Sequence, residues 1–184
     1  ICACLVGSEM CIRDRLHIKD PGFSVTEAFN TLRTNIMFSG ENIKTVMVTS
    51  TNPAEGKSFV AMQLAKSFAD INKKVVYIDC DLRKSVTLSR YKIRGKRVGL
   101  TEYITGQKSQ LIYETNIPNL AVILSGHVVP NPIELMESKK FDDLLSVLRE
   151  RFDYVIIDSP PVGSVVDACC LLYTSPSPRD MRRS

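Results

Sequence analysis

The sequence predicts an α/β fold, in which helices cover both faces of a doubly wound, mainly parallel β-sheet. Two observations predict it. Four apolar runs rich in valine and isoleucine are separated by helical patterns, and this alternation of strand and helix is typical of α/β folds. The runs are continuously apolar, which indicates parallel strands that are buried on both faces.

The four predicted strands are Thr45–Thr49, Val75–Asp79, Leu120–Leu124 and Tyr154–Asp158. A first helix is predicted to open at Ser24, because Glu27 follows three residues later and would complete a capping box. Its apolar residues recur at helical spacing and are expected to face the sheet. These residues are Val25, Phe29, Leu32 and Ile36.

A second helix is predicted after Lys57 and a third near Asn131, where Pro132 suits a first helical turn. Residues three or four apart share one face of a helix, and both segments carry such an apolar stripe. The stripes are Val60, Leu64 and Phe68 in the second helix, and Phe141, Leu144, Leu145 and Leu148 in the third.

The loop after the first strand ends in Gly-Lys-Ser, close to the phosphate-binding pattern G-x-x-x-x-G-K-[ST], with Thr51 at the first glycine position. A strand, loop and helix in this order direct backbone N–H groups and a helix dipole at one point, which favours an anion. We therefore predict a P-loop NTPase-like nucleotide site. Its residues are Thr51, Asn52, Pro53, Ala54, Glu55, Gly56, Lys57, Ser58 and Phe59.

Carboxylates follow two of the predicted strands. Asp79 and Asp81 come at the end of the second strand, and Asp158 ends the fourth. Ligands of open α/β sheets lie beyond the carboxyl ends of the strands, and an aspartate after four apolar residues is the arrangement that holds Mg²⁺ beside a P-loop. These three carboxylates are therefore expected to converge on the phosphate loop.

The two ends of the chain differ from the rest in composition and lack periodicity. Leu5–Asp14 and Cys170–Asp180 both resemble translated sequencing adapter. A DNA sequence that encodes Leu5–Asp14 has a reverse complement that, read in a shifted frame, encodes Leu171–Arg179. Residues 1–15 and 169–184 are therefore expected to be artefacts, and residues 16–168 to form one domain that is incomplete at its C-terminus.

Composition excludes several classes of protein. Without five arginines and three acidic residues of the two ends, the net charge falls from +4 to +2, which does not indicate nucleic acid as a partner. Cys80 is then the one securely retained cysteine, so no disulfide framework or cysteine metal cluster is expected. No apolar run approaches the ~20 residues of a membrane span, and the basic stretch Arg83–Arg97 is expected to be a solvated loop.

Three motifs together resemble the bacterial tyrosine kinases of capsule and exopolysaccharide synthesis, especially their cytoplasmic CpsD/CapB type. The motifs are Gly-Lys-Ser at 56–58, the acidic segment Ile78–Arg83 and Asp158-Ser159-Pro160-Pro161. The resemblance extends from about Pro21 to Ala168 and includes GLTEYITG and LSGHVVPNPIELMESKKFDDLL. Its most specific part is D-x-D-x-R after a strand, which general P-loop ATPases lack.

The resemblance implies Mg²⁺–ATP-dependent phosphorylation of protein tyrosines, including the protein's own. The implied catalytic residues are Lys57, Asp79, Asp81 and Asp158, and the implied Mg²⁺ ligands are Ser58, Asp81 and Asp158. Within the acidic pair, Asp79 is the candidate base for the tyrosine hydroxyl. Arg83 would join the nucleotide-binding residues and steady the transferred phosphate.

The resemblance also implies partners and a place in the cell. These are a transmembrane activator of the polysaccharide co-polymerase type, protein tyrosine substrates and further copies of the chain, at the inner face of the cell membrane. The family's oligomerisation helix often has E-x-x-R-x-x-R; Glu27 and Arg33 match it, whereas Asn30 replaces the middle arginine. Of the tyrosines, Tyr77 and Tyr154 are expected to be core residues.

Other functions on this fold stay open. A ParA/MinD-like ATPase switch would carry a lysine five residues before the loop lysine, where this chain has Asn52. An iron–sulfur carrier would need paired cysteines. An inactive ATP-binding regulator of polysaccharide chain length would have the same nucleotide site, although the intact acidic pair favours activity.

Overall fold

The computed structural model describes residues 16–40, 42–83, 87, 98–107 and 111–162. In chain order the elements are α1 (Phe23–Phe38), β1 (Thr45–Val48), α2 (Lys57–Ala69), β2 (Val75–Asp79), α3 (Leu100–Ile104), β3 (Ile112–Glu114), β4 (Leu120–Ile123), α4 (Pro132–Met136), α5 (Lys139–Arg151) and β5 (Tyr154–Asp158). The predictions for both ends of the chain and for most of the basic stretch after Arg83 fall outside the described residues.

The predicted mainly parallel sheet is confirmed. Its five strands lie in the order β1-β5-β2-β4-β3, and every pair is parallel except β3 with β4. The chain passes from β1 to β2 without pairing them, and β5 later fills the place between the two. The carboxyl ends of β1, β5 and β2 therefore meet at one edge of the sheet.

The hydrophobic core has two parts, one on each face of the sheet. On one face, α2 packs its predicted residues Leu64 and Phe68 against β2 and β5, and the Phe68 ring stacks on Tyr154 at 3.9 Å between ring centroids. On the other face, the predicted stripe of α5 is buried with residues of α3. That stripe is Phe141, Leu144, Leu145 and Leu148.

The first helix differs from the prediction at its start. It begins at Phe23, one residue before the predicted opening, and its N-cap is Gly22, whose φ of 95° places it in a region that side chains avoid. The predicted capping box is wrong, because Glu27 instead accepts a hydrogen bond from Asn30. No residue of α1 is fully buried, and Leu32 is 38% exposed, so the predicted stripe packs only in part.

The segment predicted as a third helix forms two helices. Helix α4 ends at Met136, and α5 begins after Ser138, whose hydroxyl accepts a hydrogen bond from the Phe141 N–H as an N-cap. The apolar spacing does not reveal this break. The short elements α3 and β3 are also absent from the prediction. In the described part of the chain, every helix is too short or too polar to cross a membrane.

Candidate active site

The site lies where β1, β5 and β2 end. Asp158, the last residue of β5, pairs in register with Val48 on one side and with Asp79 on the other. Backbone hydrogen bonds continue past the strands, from Cys80 N to the Asp158 carbonyl and from Ser159 N to the Val48 carbonyl. Parallel pairing thus brings both strand-end carboxylates beside the loop that follows β1.

That loop is shaped for close approach to an anion. Gly56 is the N-cap of α2 and has a left-handed conformation with φ of 92°, which suits a residue without Cβ. The first N–H groups of a helix have no partner within it, so those of Lys57, Ser58 and Phe59 point out of the helix end. The predicted loop residues 51–55 are exposed.

Glu55 holds the loop in this shape, which the sequence does not reveal. Its carboxylate accepts hydrogen bonds from the backbone N–H groups of Thr51 and Asn52 and from the Asn52 side-chain amide, each at 3.1 Å. These bonds, above all that from Asn52 N–H, lower the pKa of Glu55. The Asn52 side chain is thereby engaged within its own loop.

Lys57 lies at the centre of the site. Its Nζ is 3.1 Å from Asp81 Oδ2, 3.6 Å from Asp158 Oδ1 and 3.5 Å from Ser58 Oγ. The side chains of Lys57, Asp81 and Asp158 are 9%, 11% and 1% exposed. One cation therefore lies against two nearly buried carboxylates, and the structure brings four of the predicted site residues together.

The two oxygens of the buried Asp158 carboxylate have different surroundings. Its Oδ1 is buried and accepts no hydrogen bond, although Lys57 lies near it, whereas Oδ2 accepts one from the Tyr77 hydroxyl at 2.8 Å. Burial raises the pKa of Asp158, while Lys57, the Ser58 hydroxyl and the Tyr77 hydroxyl oppose that rise. Lys57 is the cation beside this oxygen in the structure, and a bound ion is one of the groups that can satisfy such an oxygen.

The oxygens around Lys57 Nζ fit a magnesium ion that is bound together with a nucleotide. Mg²⁺ in such sites takes one or two carboxylates, with water and phosphate oxygens as the other ligands. Ser58, Asp81 and Asp158 would hold it. Among the described residues, no group of three or more His, Cys, Asp and Glu side chains could hold a metal, so phosphate oxygens would have to complete the coordination.

Tyr77, predicted as a core residue, is buried as expected but also reaches the site. Its ring lies in the core on the α2 side, and its hydroxyl lies between Asp158 Oδ2 and Thr87 Oγ1, which is 3.4 Å away. Burial, followed by the charges of Asp79 and Asp158, raises the pKa of Tyr77 well above its usual value. The hydroxyl thus stays protonated and donates to Asp158.

The remaining predicted residues lie around this centre. Asp79 is fully buried, and its Oδ1 accepts a hydrogen bond from Asp81 N–H, which fixes the turn that carries Asp81 towards Lys57. Arg83 is exposed. In α1, Arg33 Nη1 donates to Asn30 Oδ1 and to the Ser67 carbonyl of α2, so it ties the two helices together.

A second carboxylate that the sequence did not single out fixes the loop after β4. Glu102 on α3 is buried and accepts hydrogen bonds from Gly99 N–H at 2.7 Å and His127 N–H at 2.9 Å, and it contacts the His127 ring. Gly126 lies in this loop, with φ of 88°. The loop follows the carboxyl end of β4, at the same edge of the sheet as Asp79.

Comparison with known proteins supports a nucleotide-binding domain. Residues 43–176 match the family model of the AAA domain. The chain is similar to the tyrosine-protein kinase CpsD of Streptococcus pneumoniae serotype 4, at 47% identity over 147 residues, 79% of this chain and 65% of that protein. The chain thus spans just under two thirds of the length of that relative.

A second relative and a solved structure agree with this finding. The tyrosine-protein kinase YwqD of Bacillus subtilis is 39% identical over 166 residues, which cover 88% of this chain and 69% of that protein. The crystal structure of the chimerical protein CapA2B2 superposes with a TM-score of 0.79 at 32% identity, over 85% of this chain and 70% of that one. These similarities agree with a P-loop NTPase-like fold for this chain.

Proposed function

The chain belongs to the bacterial tyrosine-protein kinases with an AAA domain, and on this premise we propose that it transfers the γ-phosphoryl group of Mg²⁺–ATP to tyrosine side chains. The acceptor hydroxyl forms a bond with the γ-phosphorus while the bond to the β–γ bridging oxygen breaks, the hydroxyl proton passes to a carboxylate, and ADP leaves. The observation that carries the proposal is the contact of Lys57 with Asp81 and Asp158 beside the loop.

The loop and the first turn of α2 supply the phosphate site. The N–H groups of Gly56, Lys57 and Ser58 bind phosphate oxygens, and Lys57 moves from the carboxylates to the β- and γ-phosphates. Mg²⁺, when bound, neutralises the charge of the transferred group. Asp81 and Asp158 would hold it with the Ser58 hydroxyl, and the position of one oxygen of each carboxylate within 3.6 Å of the same Lys57 nitrogen supports that assignment.

Asp79 is proposed as the base and Arg83 as a phosphate contact. Asp81 and Asp158 both lie against the Lys57 cation. Asp79 pairs in register with Asp158 at the same edge of the sheet, and the resemblance to the kinase family assigns the base to it. Phosphoryl transfer depends mainly on positioning and charge compensation, so a carboxylate near the acceptor oxygen suffices. Arg83 is exposed at the end of the same turn, and the resemblance to the kinase family assigns it to the transferred phosphate.

The finer biological role is also a proposal. We propose that the kinase regulates capsular or exopolysaccharide synthesis and export, works at the inner face of the cell membrane and meets a transmembrane activator there. The names of the relative CpsD and of the chimera CapA2B2 support this role by family likeness. Copies of the chain would associate through α1, where Glu27 and Arg33 lie, and would phosphorylate tyrosines of one another and of other proteins.

The test is Lys57→Met in the full-length protein, with phosphotyrosine detected after incubation with Mg²⁺–ATP. We expect phosphotyrosine in the wild type and none in the variant. Lys66→Met is the matched control, because Lys66 lies on the same helix and its ammonium group forms an ion pair at 3.2 Å with Asp20, whose side chain is 75% exposed. Unchanged labelling of Lys57→Met would refute the assignment.

The same assay separates the alternatives. ATP hydrolysis by the wild type without phosphotyrosine would indicate an ATPase switch. Nucleotide binding without hydrolysis or transfer would indicate an inactive regulator. Asn52 argues against the switch, because the position that would carry the signature lysine holds a side chain that hydrogen-bonds Glu55 within the loop.

A further inference from the structure

Tyr77 is placed to act on the site from within the core. Its Cα pairs in register with that of Ile156, two residues before Asp158 on the neighbouring strand. Two residues of a strand span about 6.6 Å, a distance that the long tyrosine side chain bridges and that a valine or isoleucine would not. From β2, the Tyr77 hydroxyl thus reaches the Asp158 carboxylate.

The Tyr77 hydroxyl contacts only one of the two oxygens of Asp158. Oδ2 accepts the Tyr77 hydroxyl at 2.8 Å, whereas Oδ1 faces Lys57 at 3.6 Å and accepts no hydrogen bond. A carboxylate with one oxygen fixed cannot rotate freely about its last bond. The Tyr77 hydroxyl therefore holds Asp158 in the orientation in which Oδ1 points at the cation.

The groups around this hydroxyl are buried. Tyr77 is fully buried, and its ring belongs to the core cluster formed with α2, including Met62, Leu64 and Phe68. Thr87 Oγ1, itself buried, lies 3.4 Å from the Tyr77 oxygen. Because the Tyr77 proton is directed at Asp158, the Thr87 hydroxyl is the group that can donate to the Tyr77 oxygen.

We propose that Tyr77 is a positioning residue for Mg²⁺: its buried hydroxyl fixes Asp158 so that Oδ1 is presented to the metal of the nucleotide complex. The inference rests on the proposed function, because it assigns Asp158 to Mg²⁺. Groups that orient a metal ligand from behind contribute about 10- to 100-fold to metal affinity. Tyr77 is fully buried in the core, so its effect should appear in the metal dependence.

The experiment measures ADP binding by calorimetry, in excess Mg²⁺ and in EDTA, for the full-length protein and its Tyr77→Phe variant. We expect the wild type to bind ADP more tightly with Mg²⁺ than without. In Tyr77→Phe, the Mg²⁺ concentration that gives half of this gain should rise about tenfold, while ADP affinity in EDTA stays within twofold. Mn²⁺ titration followed by electron paramagnetic resonance gives the metal affinity directly.

The matched control is Tyr113→Phe. Tyr113 is also buried, and its hydroxyl also makes hydrogen bonds, with the N–H and carbonyl of Val98. Its strand, β3, is separated from β5 by β2 and β4, about 14 Å at the usual spacing of strands. Both variants lose one buried hydroxyl, so an effect of general loosening would appear in both.

The outcomes are distinguishable. If the wild type shows no Mg²⁺ effect on ADP binding, the magnesium site of the proposed function is refuted together with this inference. If the wild type shows the effect and Tyr77→Phe retains it, only the inference is refuted. If Tyr77→Phe and Tyr113→Phe weaken Mg²⁺ equally, the role of Tyr77 is structural. In an Asp158→Asn background, Tyr77→Phe should add nothing further; an undiminished effect there would show that Tyr77 does not act through Asp158.

Discussion

Replacing Lys57 by methionine is expected to destabilise the folded protein, separately from its effect on activity. Lys57 is the cation between Asp81 and Asp158, whose side chains are 11% and 1% exposed. Methionine fills a similar volume without charge. The variant would therefore leave two carboxylates close together and largely shielded from water, with the positive charge between them removed.

The magnitude follows from the geometry. At an effective dielectric constant of about 20, each of the contacts at 3.1 and 3.6 Å is worth about 5 kcal/mol of attraction before desolvation is counted. Removing one partner of a buried pair costs about 3–5 kcal/mol net, because the other charge stays buried and unpaired. We expect about 3 kcal/mol, since Asp81 retains some contact with water.

Urea unfolding without added nucleotide measures this cost, with Lys66→Met as the control. The Lys66 pair with Asp20 involves a carboxylate that is 75% exposed, and pairs of this kind contribute about 0–1 kcal/mol. Asp158→Asn should restore much of the stability lost in Lys57→Met, because it removes the buried charge. Equal stability of Lys57→Met and Lys66→Met would refute the reasoning.

The pH dependence has a definite sign. Burial raises the pKa of Asp158 and Lys57 opposes that rise, so loss of Lys57 raises the pKa further. A carboxyl group whose pKa is higher in the folded than in the unfolded state destabilises the fold at pH values above its folded pKa. The stability difference between the variant and the wild type should therefore shrink as pH falls and Asp158 takes up its proton.

Three further predictions concern the base and the loop beyond β4. Asp79→Asn should abolish phosphotyrosine formation while nucleotide affinity stays within a few-fold; loss of ATP binding alone would refute the base role. Gly99→Ala should destabilise the fold by more than ~2 kcal/mol in urea unfolding, because a Cβ there would lie 2.2 Å from Gly126 N. The control is Gly40→Ala, which should be nearly neutral because the nearest contact of its Cβ would be 3.4 Å. Glu102→Gln should cost about 1–3 kcal/mol in the same assay, because the amide cannot replace every bond of the carboxylate; an unchanged midpoint would contradict this role.

The strands could be predicted because burial on both faces leaves a signature in the sequence. Two of the predicted strands agree with β2 and β5 residue for residue, and the other two differ by one residue at the end. Strand β3 has three residues, includes the exposed Glu114 and runs antiparallel at the edge, so it shows no continuous apolar run. The break at Ser138 is likewise hidden, because the apolar spacing continues on both sides of it.

The part of the candidate site that lies at the ends of strands could be predicted from the sequence. Carboxylates at the ends of parallel strands must share one edge, and the register of Asp79 with Asp158 realises this expectation. The supporting contacts depend on tertiary register instead. Tyr77 reads as a core residue in the sequence, and only the pairing of β2 with β5 reveals that its hydroxyl meets Asp158.

The position of Lys57 couples the binding of metal to the binding of nucleotide. Its ammonium group lies against the oxygens that we assign to Mg²⁺, at 3.1 Å from Asp81 and 3.6 Å from Asp158. A magnesium ion needs oxygen ligands at about 2.1 Å. It therefore cannot bind these carboxylate oxygens while the Lys57 ammonium group occupies the position beside them. The lysine leaves readily only when another anion receives it, and the β- and γ-phosphates of a nucleotide in the loop are that anion. Metal and nucleotide should therefore bind cooperatively, with Lys57 exchanging carboxylates for phosphates as Mg²⁺ takes its place.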